Sequence, residues 1–146
     1  MKNLQSLAVI FLLTLLRSCS EAASFQYGGE PYLSQSFSIN GSGDLKVETS
    51  GSSVSVSGTS GNSVTIDMYV KYKGKEIDTE SAEVEALLED YELDFSQNGN
   101  TITLIAKKSG SWGWNSDNGL NLTFTISVPH TMYTNINSSG GSLALT

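Results

Sequence analysis

Two tryptophans give the chain its clearest chemistry for binding. Trp112 and Trp114 stand two residues apart in the stretch GSWGWNSDNG, which is polar and shows little core periodicity. Exposed aromatic rings stack on sugars or bury into a protein partner. We therefore predict a ligand contact at these two residues. The alternative is that one or both rings fold back as a lid over the end of the core.

Residues suited to catalysis are scarce. His130 is the only histidine, it follows Pro129 at the end of an alternating run, and no nucleophile-elbow motif occurs in the chain. We interpret it as a surface or turn histidine. Paired carboxylates cluster on one predicted helix face, where solvation explains them. We predict no catalytic residue and no enzymatic activity; a carbohydrate-active enzyme is the least favoured alternative.

Metal and cofactor sites have equally little support. One histidine and one cysteine are too few for a zinc or iron site. The loop Asn115–Gly119 offers the oxygen ligands that calcium prefers, but it holds one carboxylate and lacks the EF-hand glutamate. The glycine-rich stretches lack the Lys-Ser/Thr pair of a phosphate loop. The sequence predicts neither a metal nor a cofactor.

The charge balance argues against nucleic acid as a partner. The 146-residue chain has a formal net charge of −7, and its single arginine, Arg17, follows the N-terminal apolar run. An acidic protein with no arginine beyond this run to pair with phosphates binds nucleic acid or anionic lipid poorly.

Residues 1–18 have the pattern of a signal peptide. Lys2 precedes the apolar run Leu7–Leu16, which is too short to span a bilayer. The LRSC sequence that follows resembles the lipobox of bacterial lipoproteins, which implies acylation of Cys19. Ordinary cleavage after Ala22 is the alternative. Either route predicts an exported protein, and a lone cysteine forms no internal disulfide.

A short phrase recurs along the rest of the chain. Two copies begin ten residues apart, Thr49–Val56 (TSGSSVSV) and Thr59–Ile66 (TSGNSVTI). Each is a polar turn followed by a run in which apolar and polar residues alternate. Weaker copies begin at Ser42, Asn98 and Ser139, which makes five copies of one β unit. The pattern predicts an all-β core of short strands.

Longer alternating runs and one helical segment complete the prediction. Ser63–Lys73 and Leu120–Val128 alternate as strands with one buried face do. Asp78–Tyr91 has apolar residues at helical spacing and predicts a short amphipathic helix, capped by Asp78 or Thr79, over an end or flank of the core. Two architectures fit the turn spacing: a solenoid-like stack of short strands, which we favour, and an antiparallel β-sandwich.

The order of these elements resembles the adhesin-like (auto-transporter-adhesin-like) β-solenoid domains of bacterial cell-envelope proteins. The series runs from GDLKVETSGSSVSVSG through SVTIDMYVK, the helix and DFSQNGNTITLIAKK to ISVPHTMYTNINSSGGSLALT, whose ISVP and NINSSGGSL parts are the most specific. The resemblance covers residues 37–146 and implies a β-repeat domain, preceded by a tether or lead-in over residues 19–36. Such domains continue through further repeats, which implies a domain that is incomplete at its C-terminal end.

The resemblance implies a non-enzymatic binding module of the cell envelope. A glycan or an envelope or surface protein is the expected partner, and membrane contact is expected only through the lipid at Cys19. The expected location is the outer membrane or cell surface, or the periplasm or medium if cleavage follows Ala22. The alternative function is a structural or envelope-stress component that binds another envelope protein.

The last strand predicts self-association. Leu143 and Leu145 lie on one face of a strand without a successor in this sequence. Unpaired main-chain groups beside exposed apolar side chains favour pairing between edges. We expect contact between copies through this C-terminal edge.

Overall fold

The described part of the chain folds into ten strands and one short helix. The computed structural model describes residues 29–77, 80–109 and 119–146. In chain order the elements are β1 (Leu33–Ser38), β2 (Gly43–Ser50), β3 (Ser53–Thr59), β4 (Ser63–Tyr72), β5 (Lys75–Ile77), α1 (Ala82–Leu88), β6 (Tyr91–Asn98), β7 (Thr101–Lys108), β8 (Leu120–Pro129), β9 (Met132–Ser139) and β10 (Leu143–Leu145).

The strands form two mixed sheets. The first has the order β1-β4-β8-β3-β10, with β5 also paired to β4, and the second has the order β6-β7-β2-β9. The pairs β8/β3, β3/β10, β7/β2 and β2/β9 are parallel. The pairs of β4 with β1, β5 and β8, and of β6 with β7, are antiparallel. The all-β prediction is confirmed, and two facing sheets fit the sandwich alternative, although the sheets are mixed.

Three strand–corner–strand units, β7–β8, β2–β3 and β9–β10, lie side by side in the same order in both sheets. The unit β9–β10 follows β2–β3 residue for residue. Ser50 pairs with Ser139 before the corner and Val54 pairs with Leu143 after it, so the register is constant through the corner. The copies of the phrase at Thr49 and Ser139 therefore occupy matching positions in neighbouring units.

The inner faces of the two sheets form one core. Along β4 and β8 buried apolar residues alternate with more exposed polar ones, as strands with one buried face require. Phe95 in the second sheet and Phe124 in the first have ring centroids 6.3 Å apart, so side chains from both sheets meet. Other fully buried large side chains are Ile39, Leu45, Ile66, Met68, Ile102, Leu104 and Ile126.

The helix is shorter than the predicted Asp78–Tyr91. It begins after Ser81, which has an extended N-cap conformation, and residues 78 and 79 lie outside the described residues. Val84 is buried, as the helical spacing predicts. Tyr91 starts β6, because the run YELDFS alternates and its apolar residues pack on the core as a strand.

The β domain begins before the predicted boundary at Phe37. Strand β1 starts at Leu33, inside the stretch predicted as a tether or an irregular lead-in strand, and pairs with β4. Its inner-face residue Gln35 is polar, so the alternation of Leu33, Gln35 and Phe37 is a weak signal in the sequence. Tertiary pairing with a long neighbouring strand, rather than local pattern, makes this segment a strand.

Candidate functional site at the open end of the sheets

The residues predicted to carry lipid and ligand lie outside the described residues. These are Cys19, Trp112 and Trp114, together with the predicted signal peptide and the alternative cleavage site at Ala22. Three residues separate Thr49 from Ser53 between β2 and β3, whereas sixteen separate their partners Ala106 and Thr123. In the sequence, Trp112 and Trp114 lie among these sixteen.

His130 lies in the turn between β8 and β9. It is exposed, and its main-chain N–H donates to Thr59 O at 3.0 Å. Its ring packs against Gly58, where an added Cβ would stand 2.5 Å from the His130 Nδ1 atom. The ring thus occupies the space that a side chain at position 58 would need, which fits a turn histidine.

The described residues offer no metal site and no helix that could cross a membrane. Over residues 29–77, 80–109 and 119–146, no three His, Cys, Asp or Glu side chains are grouped to hold a metal ion. The only helix found in these ranges, α1, has 7 residues and is far too short to span a bilayer.

One end of the paired sheets is covered; we call it the capped end and define it by β1, β5, β6 and α1. In the chain the helix follows β5, at the edge of the first sheet, and precedes β6, at the edge of the second. Its buried Val84 joins the core, and Glu83 Oε1 accepts a hydrogen bond of 2.6 Å from the Tyr72 hydroxyl. Gln97 Nε2 of β6 donates to Ser38 O of β1 at 2.8 Å, which links the two sheets directly.

The acidic side of α1 reaches Tyr32, which precedes β1. Burial raises the pKa of the Tyr32 hydroxyl, and the negative charges of Glu85 and Glu80 raise this pKa further. Glu85 of α1 therefore lies close enough to the chain before β1 for its charge to act on Tyr32.

The opposite end is the open end, formed by the edge strands β9 and β10. On the inner face, side chains become more exposed along one row of paired residues from β8 through β3 to β10. Phe124 is 0% exposed, Val54 2% and Leu143 50%. Leu145 is 60% exposed, although it is paired with the buried Val56. Paired residues direct their side chains to the same face, so these leucines extend the core row to the surface.

Only alternate residues of β10 direct their main-chain hydrogen-bonding groups to β3. Ser142 O accepts a hydrogen bond of 2.8 Å from Val54 N–H, and Thr146 N–H donates to β3 at 3.0 Å. Successive residues of a parallel strand direct their main-chain groups to opposite sides. The N–H and C=O groups of Leu143 and Leu145 therefore point away from β3, towards the free edge.

The main chain of β9 has the same arrangement. Ser139 O accepts a hydrogen bond of 3.0 Å from Gly51 N–H, so Ser139 directs its main chain towards the β2–β3 unit. By the same alternation, the main-chain groups of Thr134, Ile136 and Ser138 point to the free edge of the second sheet. Both sheets thus end in rows of donors and acceptors on one side of the molecule.

Glycines let neighbouring corners approach closely. An added Cβ at Gly141 would stand 2.1 Å from Ser52 O, and one at Gly43 would stand 2.3 Å from Asn100 O. Asn100 Nδ2 also donates to Asn40 O at 2.7 Å, which joins the corner before β7 to the chain leading into β2. The corners of neighbouring units are therefore in direct contact.

The outer faces of the sheets are mainly polar, and that of the second sheet carries charges of both signs. The outer row of β3 and β8 consists of serines and threonines, including Ser55, Thr125 and Ser127. On the second sheet Lys107 pairs with Glu48, and this hydrogen bond raises the pKa of the lysine. These faces hold no cluster that would direct chemistry, so the open end is the best candidate site among the described residues.

Sequence reasoning found only part of this site. It identified Leu143 and Leu145 but not β9, whose inner residues Thr134 and Ser138 are polar and give no apolar alternation. The missed signal was the constant spacing between Thr49–Val56 and 138–145, which aligns two whole units including their corners.

Comparisons with known proteins identify no relative. No family model matches the chain, and no curated protein or solved structure matches it.

Proposed function

We propose that this chain is a non-enzymatic binding module of the bacterial cell envelope, exported and held by a lipid at Cys19. Its binding element is the open end, where another polypeptide adds a strand to β9 or β10. Strand addition to an exposed sheet edge is a general mode of peptide recognition, in which main-chain hydrogen bonds give affinity and side-chain pockets give specificity.

We further propose that the three units are successive coils of a β-solenoid-like stack. The constant register between β2–β3 and β9–β10 supports this, because stacked coils keep one register through their corners. The tight glycine contacts between corners support it as well. A stack of this kind is closed by caps, and here the capped end is covered by α1 and β6.

One observation carries the functional proposal: both sheets end on the same side in edges whose main-chain groups point outward beside half-exposed leucines. Leu143 and Leu145 would be buried by an added strand, since they lie in the inner-face row of Val54 and Val56. Burial of apolar area adds affinity to the main-chain bonds.

The experiment uses the chain's own repeat as the probe. A labelled peptide with the sequence of residues 43–56, GDLKVETSGSSVSV, is titrated with dilute protein and followed by fluorescence anisotropy. The same peptide carrying Val47→Pro is the control, because proline interrupts strand pairing. In the protein, Thr134→Pro removes a donor at the free edge of β9 without removing a bond to β2.

We expect the first peptide to bind and both changes to weaken it by about tenfold or more, the effect of losing one well-made hydrogen bond. Equal binding of the two peptides, or binding that Thr134→Pro does not alter, would contradict strand addition at this end.

Glycan binding is the second candidate, favoured by the two tryptophans, Trp112 and Trp114, in the polar sequence between β7 and β8. A glycan-array signal that Trp112→Ala abolishes, with no binding of the 43–56 peptide, would support this adhesin function instead. Aromatic stacking on sugars requires the exposed ring, so the alanine variant removes the contact directly.

A further inference from the structure

The strands at the open end carry no charge. Residues 132–146, MYTNINSSGGSLALT, contain no Asp, Glu, Lys or Arg, although the whole chain has a net charge of −7. At the capped end the edge strands β5 and β6 contain Lys75, Glu76, Glu92 and Asp94; β1, which ends the first sheet there, is also uncharged but has no exposed large apolar side chain. Proteins protect free edges with charged residues, so an uncharged edge beside exposed apolar side chains is suited to pairing.

At this end two edge strands, one in each sheet, have main-chain donors and acceptors that need partners. β9 ends the second sheet with 8 residues and β10 ends the first with 3 residues, and the core row lies between them. A single added strand would satisfy one edge only. The occupant that satisfies both needs two strands at the same separation and of matching lengths.

A second copy of the chain provides such a pair. A two-fold axis perpendicular to the sheets places β9 antiparallel to its counterpart, and β10 antiparallel to its own. Strands of equal length then meet, and Leu143 and Leu145 of one copy extend the core of the other. Because residues 132–146 contain no charged side chain, side-chain charge in these strands does not oppose this contact despite the negative net charge.

The structure of the capped end determines whether assembly can continue beyond two copies. Head-to-tail association would need the open end of one copy to dock on the capped end of another. There Val84 of α1 is already buried in the core, the charges of Glu92 and Asp94 lie on the edge strand β6, and β1 has no exposed large apolar side chain. An isologous contact closes on itself, whereas a head-to-tail contact would form a filament.

We infer that two copies of this chain join open end to open end as a closed two-fold dimer, with β9 paired to β9 and β10 paired to β10. This inference rests on the proposed function, since it assigns the partner of the same strand-accepting edges. The core then runs continuously through both copies, with a capped end at each extremity.

Sedimentation velocity over a concentration series tests the inference on residues 19–146, the chain that remains after the proposed cleavage, with Cys19→Ser in every protein compared. The wild type forms dimers and nothing larger. Leu143→Lys places a charge in the contact from each copy and raises the dimer dissociation constant by about a hundredfold, tenfold for each copy. Ser96→Lys adds the same charge on β6 at the capped end and leaves the dissociation constant unchanged.

Leu145→Pro is the second variant, and it removes a free-edge donor while leaving the bonds from β10 to β3 in place. It also yields monomers, with an unchanged far-ultraviolet circular dichroism spectrum. A wild type that stays monomeric yet binds the 43–56 peptide would overturn the dimer and leave the proposed function standing. Assemblies that grow beyond the dimer, or a dimer that neither Leu143→Lys nor Leu145→Pro weakens, would also overturn it.

Discussion

Gly141 lies against the carbonyl group of Ser52, so close that a Cβ added to the glycine would stand 2.1 Å from the carbonyl oxygen. Gly141 belongs to the β9–β10 corner and Ser52 to the β2–β3 corner, and the two hold matching positions in the register. Its φ of +85° is a conformation that glycine adopts without strain. This contact holds the last unit against the one before it.

Gly141→Ala should separate the two corners. The alanine meets both an unfavourable φ and the Ser52 carbonyl, so we expect a loss of about 3 kcal/mol or more in the free energy of unfolding. Gly51→Ala is the matched control, because φ there is +73° but no atom lies within 4 Å of the added Cβ. That change should cost about 1–2 kcal/mol. Urea unfolding measures both, and equal losses would mean that the corners are not stacked as described.

The buried face of the first sheet gives a second prediction. Ile66 and Phe124 are fully buried, whereas Thr65 is on the outer face of β4. Replacing Ile66 or Phe124 with Ala should reduce the free energy of unfolding by about 2–5 kcal/mol. Thr65→Ala should change it by no more than about 0.5 kcal/mol. Similar losses at Ile66 and Thr65 in denaturant titrations would contradict the assignment of the faces.

Stability should fall in alkaline solution partly through Tyr32. Its pKa is raised above 10.0 in the folded chain, first by burial and then by Glu85 and Glu80. Above pH 10 the unfolded chain therefore ionises this phenol more readily, and the difference favours unfolding as the pH rises. Tyr32→Phe should give a shallower decline of the unfolding free energy above pH 10 than the wild type. Parallel curves for the two proteins would show that the phenol is not held as described.

Lipid attachment at Cys19 gives a prediction about export. The wild type should incorporate labelled fatty acid and partition into detergent, because acylation replaces a thiol with a membrane anchor. Cys19→Ser should lose the label and enter the aqueous phase. A wild-type protein that is soluble and begins at Ala23 would instead support cleavage after Ala22.

Local pattern predicted the strands that have one strongly apolar face. Ser63–Lys73 and Leu120–Val128 correspond closely to β4 and β8, since their alternation reports directly on burial. β9 gave no such signal, because at the end of the core Thr134 and Ser138 occupy inner positions beside Ile136. Edge strands with one covered side need fewer apolar residues, so periodicity detects them poorly.

Local sequence pattern could not predict the order and direction of the strands in the sheets. Two copies of one phrase, at Thr49 and Thr59, lead into β3 and β4, yet β3 runs parallel to β8 and β4 runs antiparallel to it. The phrase encodes a turn and a strand, and the partner is chosen by packing over long distances in the chain. Which main-chain groups lie on the free edge of the candidate site depends on that pairing. The sequence therefore indicated the apolar side chains of Leu143 and Leu145, but not the direction of their N–H and C=O groups.

Amide hydrogen exchange at single residues tests the open end most directly. In dilute protein the amides of Thr134, Ile136, Leu143 and Leu145 should exchange rapidly, while those of Asn135 and Asn137, which face β2, should be protected. In concentrated protein the first four should become protected without a change at the capped end. Protection of those four amides at every concentration, or rapid exchange at every concentration, would contradict the claim that β9 and β10 form a strand-accepting edge.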